Sequence, residues 1–284
     1  MSTLLRNKAR AALHIAAISL LLSGTSLAGT GWAAAEIKEE APPSGSNKAN
    51  PTELIQAREI DVTGDGKLDS VGLVGMKLDA SSHYYAKLFI VVLGQGQNQV
   101  VIPLEGGYNP KMSFCDFNGD KLPEIFTSAE TGGSGGLSNY YLYSLKGNVP
   151  TALPLPDPLH VTSMFKSNYA VKLKVKETGK SFKVDLKDKK ADYDQFGVYN
   201  NGKLIKPVVV DVHGYGLLQP MDVDRDGVCE LRGMQRITGI SNADTIGYVN
   251  SLWKWKDGKW VLKSANIKKT FEPQDPGGHS EGHQ

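Results

Sequence analysis

The stretch Asp61-Val-Thr-Gly-Asp-Gly-Lys-Leu-Asp69 decides how this chain is read. It sets oxygen-bearing side chains at its first, third, fifth and ninth positions: Asp61, Thr63, Asp65 and Asp69. Gly64 and Gly66 permit tight turns between them, and the carbonyl of Lys67 falls at the seventh position, where such loops offer a main-chain oxygen. A hard cation such as Ca²⁺ takes about six to eight oxygens at ~2.3–2.6 Å, and a short acidic loop can wrap them round one point.

The pattern occurs twice more. Asp116-Phe-Asn-Gly-Asp-Lys-Leu-Pro-Glu124 offers Asp116, Asn118, Asp120 and Glu124, with Leu122 at the seventh position. Asp222-Val-Asp-Arg-Asp-Gly-Val-Cys-Glu230 offers Asp222, Asp224, Asp226 and Glu230, with Val228 at the seventh. Three nonamers with one carboxylate spacing predict Ca²⁺ loops rather than plain Asp/Asn/Gly turns. The third carries four carboxylates and is expected to bind best. An EF-hand would need a bidentate Glu at the twelfth position, but Gly72, Thr127 and Gly233 stand there. Each loop leads instead into a strand-like run: Ser70–Gly75, Ile125–Ala129 and Leu231–Ile237.

Acidic loops that each open a strand resemble the calcium loops of FG-GAP/VCBS repeats, found in integrin-like β-propellers. The resemblance implies the twelve side chains named above as ligands and a blade-like repeat. It covers the loops and about thirty residues after each, and the Phe-Gly and Gly-Ala-Pro signatures of the integrin repeats are absent.

Outward from the loops, the pattern holds. After each comes a strand, a polar excursion and a hairpin, the hairpins turning at Gly94-Gln-Gly96, Lys146-Gly147 and Asp257-Gly258. The starts at 61, 116 and 222 leave room for a fourth unit without an acidic loop, where Ala170–Lys176 alternates, turns at Glu177–Lys180 and returns as Ser181–Leu186. The expected fold is all-β, a propeller-like stack of four or five small antiparallel blades over residues 53–266.

Residues 1–35 read as a secretory signal peptide: Arg6, Lys8 and Arg10, an apolar run Ala11–Leu22, then Ala33-Ala34-Ala35. The run is shorter than the ~20 residues a membrane span needs, and no cysteine follows it where a lipoprotein would carry one. Residues 36–52 read as a flexible linker and 267–284 as a disordered tail. Loss of the signal takes three of 32 cations and none of 30 anions, so the net charge becomes about −1 and gives no reason to expect nucleic acid. The expected product is secreted, with no membrane span. Two cysteines remain, Cys115 and Cys229. An exported chain permits a bridge, but their unlike places in the loops favour buried or free thiols.

Other motifs weigh less. Gly132-Gly-Ser-Gly-Gly136 matches a Gly-x-Ser-x-Gly string, yet a strand follows where a nucleophile elbow needs a helix. Asp211 and His213 share a strand face with no serine or cysteine nucleophile in a recognisable context beside them. Trp253, Trp255 and Trp260 fall on one face of the last hairpin, either as core or as a platform for sugar rings. Nine lysines between Lys166 and Lys190 alternate with apolar residues, as in a solvated sheet face or one that attracts an anionic polymer. The expected role is a calcium-binding one at the cell surface or outside it, with cell-wall glycan or a surface protein as partner. A secreted polysaccharide-active enzyme or an adhesion module is the alternative.

Overall fold

The computed structural model describes residues 50–94 and 99–270. The stretch read as a signal peptide, most of that read as a linker and the part of that read as a tail beyond Lys269-Thr270 lie outside the described residues. The chain is all-β, its sheets antiparallel, as the alternation predicts. Its described residues divide into two compact units, one of residues 50–60, 68–94 and 99–106 and the other of 61–67 and 107–270.

The first unit holds β1 (Thr52–Ile60), β2 (Asp69–Lys77), β3 (Tyr85–Leu93) and the first part of β4 (Gln99–Cys115), hydrogen-bonded in that order. Strand β2 is buried along most of its length, with Val71 and Leu73 fully so, and Ile90 and Val92 of β3 lie opposite them in register. Branched apolar residues pack well on a pleated surface, which is why both strands read as near-continuous hydrophobic runs. The fold starts at Thr52, inside the stretch read as linker, because Thr52 pairs with Met76.

In the second unit β4 continues into β5 (Glu124–Glu130), β6 (Ser138–Ser144) and β7 (Thr151–Ala152). A three-stranded sheet follows, from β8 (Val161–Lys166), β9 (Ala170–Val175) and β10 (Ser181–Asp185), with β9 central. A six-residue helix α1 (Lys190–Gln195) comes next, then a small hairpin of β11 (Tyr199–Asn200) and β12 (Lys203–Leu204). The last sheet runs in simple order: β13 (Asp211–Met221), β14 (Glu230–Thr238), β15 (Thr245–Lys256) and β16 (Lys259–Lys268). The helix carries no sequence signal, having one buried anchor, Tyr193, whose hydroxyl donates to Asp244 at 2.7 Å.

One core, built from Phe117, Leu142, Phe165, Leu173, Leu231 and Trp253 among others, serves this unit. Strand β16 passes the expected domain end at residue 266, because Ile267 pairs with Val249 and packs on that core. In β9, Val171, Leu173 and Val175 are buried while Lys172 and Lys174 are exposed, so the lysines form the solvated face the alternation predicts.

Candidate metal-binding loops

The three acidic nonamers occupy one structural position. Loop 1 joins β1 to β2, loop 2 joins β4 to β5, and loop 3 joins β13 to β14. In each, the ninth-position carboxylate pairs with the residue just before the first Asp: Ile60 with Asp69, Cys115 with Glu124, Met221 with Glu230. All three ninth-position residues are buried. The sheet β8–β9–β10 has a three-residue connection at the equivalent place and no acidic loop, as the sequence spacing implied.

The internal bonding repeats as well. The first Asp accepts two backbone N–H groups: Asp61 from Gly64 at 2.7 Å and Gly66 at 2.9 Å, Asp116 from Gly119 and Lys121, both at 2.7 Å, and Asp222 from Asp226 at 3.1 Å and Gly227 at 3.0 Å. The fifth-position carboxylate accepts the seventh N–H every time, from Lys67 to Asp65, Leu122 to Asp120 and Val228 to Asp226. In loops 2 and 3 the ninth-position Glu accepts the second N–H, from Phe117 at 2.9 Å and Val223 at 3.1 Å. Such geometry needs left-handed backbone at the sixth position. Gly66 (φ 78°) and Gly227 (φ 86°) supply it without cost, whereas Lys121 adopts φ 68° with a side chain in place.

Within the second unit the loops lie side by side. A Cβ on Gly64 would fall 2.7 Å from Leu122 Cδ1, and Gly147 N–H donates to the Thr63 carbonyl at 2.8 Å. Loop 2 meets loop 3 through the Cys229 N–H to the Asp116 carbonyl, 2.7 Å. It meets it covalently too. Cys115 and Cys229 form a disulfide, with their Cα atoms 6.0 Å apart. This corrects the expectation of free thiols: the residues' places within their own loops are unlike, but the lateral contact of the loops brings them into bonding range.

The charge environment separates the loops. In loop 2, burial pushes the Glu124 carboxyl up to about 7; the Phe117 N–H pulls it down, and the Asp120 and Asp116 carboxylates push it further up. Asn118 Nδ2 donates to it at 2.5 Å, and Lys146 reaches only Asp120, at 2.9 Å. In loop 3 the carboxylates of Asp222, Asp224 and Asp226 each offer an oxygen within 4.8 Å of the others. The Lys254 ammonium stands on this loop, 3.0 Å from Asp224, 3.1 Å from Asp226 and 3.0 Å from Glu230. Those three contacts raise its pKa, the bond to Glu230 most. Sequence reading missed Lys254. Its one signal was its place between Trp253 and Trp255, which puts it on the opposite sheet face.

A donor set of carboxylates, an amide and backbone carbonyls is the chemistry of a hard, oxygen-seeking cation. In loop 2 the glutamate, held up to about 7 by burial first and by the Asp120 and Asp116 carboxylates after it, has no ammonium against it among the described residues.

The other candidates resolve into structure. Trp255 and Trp260 pair across the β15–β16 hairpin with centroids 5.2 Å apart, in the register expected for a turn at Asp257-Gly258. Trp253, however, is core, and Trp260 packs edge-on against Phe117 while donating to the Pro154 carbonyl. The three indoles thus share no open platform, since Trp253 is covered by the unit's own packing. Ser134 accepts a hydrogen bond from Asn242 at 2.8 Å, and Arg236 donates to its carbonyl. His213 Nε2 faces Thr238 at 3.4 Å and Asp211 at 3.7 Å.

Residues 159–268, from just before β8 to the end of β16, match the YybI C-terminal domain family. The chain is also 30% identical over 221 residues to a Bacillus subtilis (strain 168) protein, "Uncharacterized protein YybI", covering 75% of this chain and 84% of that one. The chain belongs to the YybI family. No solved structure matches it. The likeness to FG-GAP/VCBS repeats is thereby corrected: the family found is YybI, and only loop 3 lies inside the matched domain. An acidic nonamer fixes the bonding of nine residues and one hairpin, and unrelated frameworks can close a hairpin the same way.

Proposed function

We propose that this YybI-family chain is an exported calcium-binding β-repeat protein with a binding or structural role at the cell surface or outside the cell. The observation that carries the reading is the threefold recurrence of one hairpin, with its buried ninth-position carboxylate and its fixed carboxylate-to-backbone bonds. In this reading the groups β1–β4, β4–β7, β8–β10 and β13–β16 are blade-like repeats, and the cation holds the first connection of a blade. The basic, apolar and small-residue order of residues 1–35 supports export, as does a disulfide between Cys115 and Cys229, since such bonds persist in oxidising compartments.

A polar glycan is the partner this surface suits. A pocket on the last sheet, beside loop 3, is lined by Arg232, Asn250, Ser264, Asn266 and Lys268 together with the apolar Met221, Val223 and Leu252. Amides and cations of this kind recognise hydroxyl and carboxylate groups.

Calcium titrated into chelator-stripped protein tests the reading. The expected outcome is a higher melting temperature, with a larger rise than equal Mg²⁺ gives, each site adding about 2.7 kcal/mol of stability at 100 times its dissociation constant. Identical melting in excess chelator and saturating Ca²⁺, without heat of binding, would remove calcium from the function.

A further inference from the structure

Glu230 and Lys254 are partners in register across β14 and β15, at the mouth of loop 3. The Lys254 Nζ reaches Asp224 Oδ2, Asp226 Oδ2 and Glu230 Oε1, all at 3.0–3.1 Å. These oxygens come from the third, fifth and ninth positions, three of the four carboxylates a metal would use there. An ammonium has three N–H donors and no acceptor, so the match is one donor to one carboxylate. The lysine side chain is 27% exposed and that of Glu230 4%. The Glu230 contact therefore lies at the inner end of the loop, where solvent screens it less than a surface pair, while Asp224 and Asp226, 54% and 46% exposed, meet the ammonium at the solvent side.

We propose that Lys254 is the resident cation of loop 3. The chain fills this carboxylate nest with its own tethered ammonium, and loop 3 keeps its geometry without a divalent ion. A divalent ion that enters must first expel the lysine and leave it to solvent. Loop 3, the most acidic by sequence, is thus poorer for metal than loop 2, and the divalent demand falls there. Loop 2 is built otherwise: among the described residues no ammonium touches Glu124, and Lys146, with 64% of its side chain exposed, reaches a single oxygen of Asp120. The ranking of the loops rests on the calcium reading above; the structural role of Lys254 does not.

The experiment uses the full chain, its Lys254→Met variant and the double variant Lys254→Met/Glu230→Gln. In excess chelator Lys254→Met is expected to melt about 5 °C or more below the wild type, because three carboxylates lose their counter-charge. Ca²⁺ should then recover the loss, and calorimetry should count one more site than in the wild type. The double variant should recover part of the loss without metal, and it keeps the test open if Lys254→Met alone does not fold. Equal melting of Lys254→Met and wild type in chelator would overturn the proposal. So would equal site counts in the two proteins when the wild type does bind Ca²⁺. If the wild type binds no Ca²⁺ at all, the calcium reading fails, while the chelator melting curves and the rescue by Glu230→Gln still decide the role of Lys254.

Discussion

Loops 2 and 3 are the same hairpin with the same buried glutamate, yet they balance its charge differently. Both fold their backbone round the first Asp, and both bring the second N–H to the ninth-position carboxylate. Loop 3 then meets its carboxylates with an ammonium from the neighbouring strand. Loop 2 leaves Glu124 with amide donors, and burial first, then its two carboxylate neighbours, raise its pKa to about 7. The local bonding follows from spacing within the nonamer. The electrostatic state follows from one residue that another strand does or does not supply.

The largest change should come from separating the two loops. The disulfide spans 114 residues of sequence, and in the chain-entropy account a closure of that length contributes about 2–5 kcal/mol. Cys115→Ser/Cys229→Ser is expected to unfold at correspondingly lower denaturant, and the same loss should follow reduction of the wild type. An unchanged midpoint would mean that the lateral contact of the loops stands without its covalent link.

Next comes the pair of buried glutamates, where the same substitution should have opposite signs. The folded-state pKa of Glu124 lies above the ordinary 4.5, so the folded protein holds the extra proton between about 4.5 and 7. Metal-free stability should therefore fall as pH rises through that window, by up to about 3 kcal/mol. Glu124→Gln should flatten the fall and stabilise the metal-free protein at pH 8, while abolishing much of its response to Ca²⁺. Glu230→Gln should instead cost about 1–3 kcal/mol without metal, because it strips a partner from a partly buried lysine. Denaturation in chelator at several pH values reads both, and equal signs would erase the contrast between the loops.

The smallest effect concerns the backbone. Lys121 holds φ 68° where the other loops have glycine. Lys121→Gly removes the clash of a side chain in left-handed backbone and should stabilise the fold by about 1 kcal/mol or less. A loss on that substitution would show that the Lys121 side chain itself holds loop 2.

The repeated spacing of oxygen side chains and glycines made the loops, the strands after them and the sheet without a loop legible along the chain. Each is a local matter: period-two alternation buries one face, and a carboxylate bonds to N–H groups only a few residues away. The register of Trp255 on Trp260 was legible for the same reason, since a two-residue turn fixes the strands that flank it. The family was not legible, because nine-residue loops do not encode the framework that carries them. Helix α1 was hidden too, being six residues held by Tyr193 on Asp244 some fifty residues away.

Two facts needed the tertiary structure. Cys115 and Cys229 bridge because two hairpins lie side by side, a contact between segments 114 residues apart. Loop 3 receives the Lys254 ammonium because β15 pairs with β14 in the register that sets Lys254 against Glu230. The sequence alone determined where the carboxylates gather, since their spacing lies within single turns. Only the folded sheet decided which cation meets them, because that depends on which side chain a neighbouring strand places a few ångströms away.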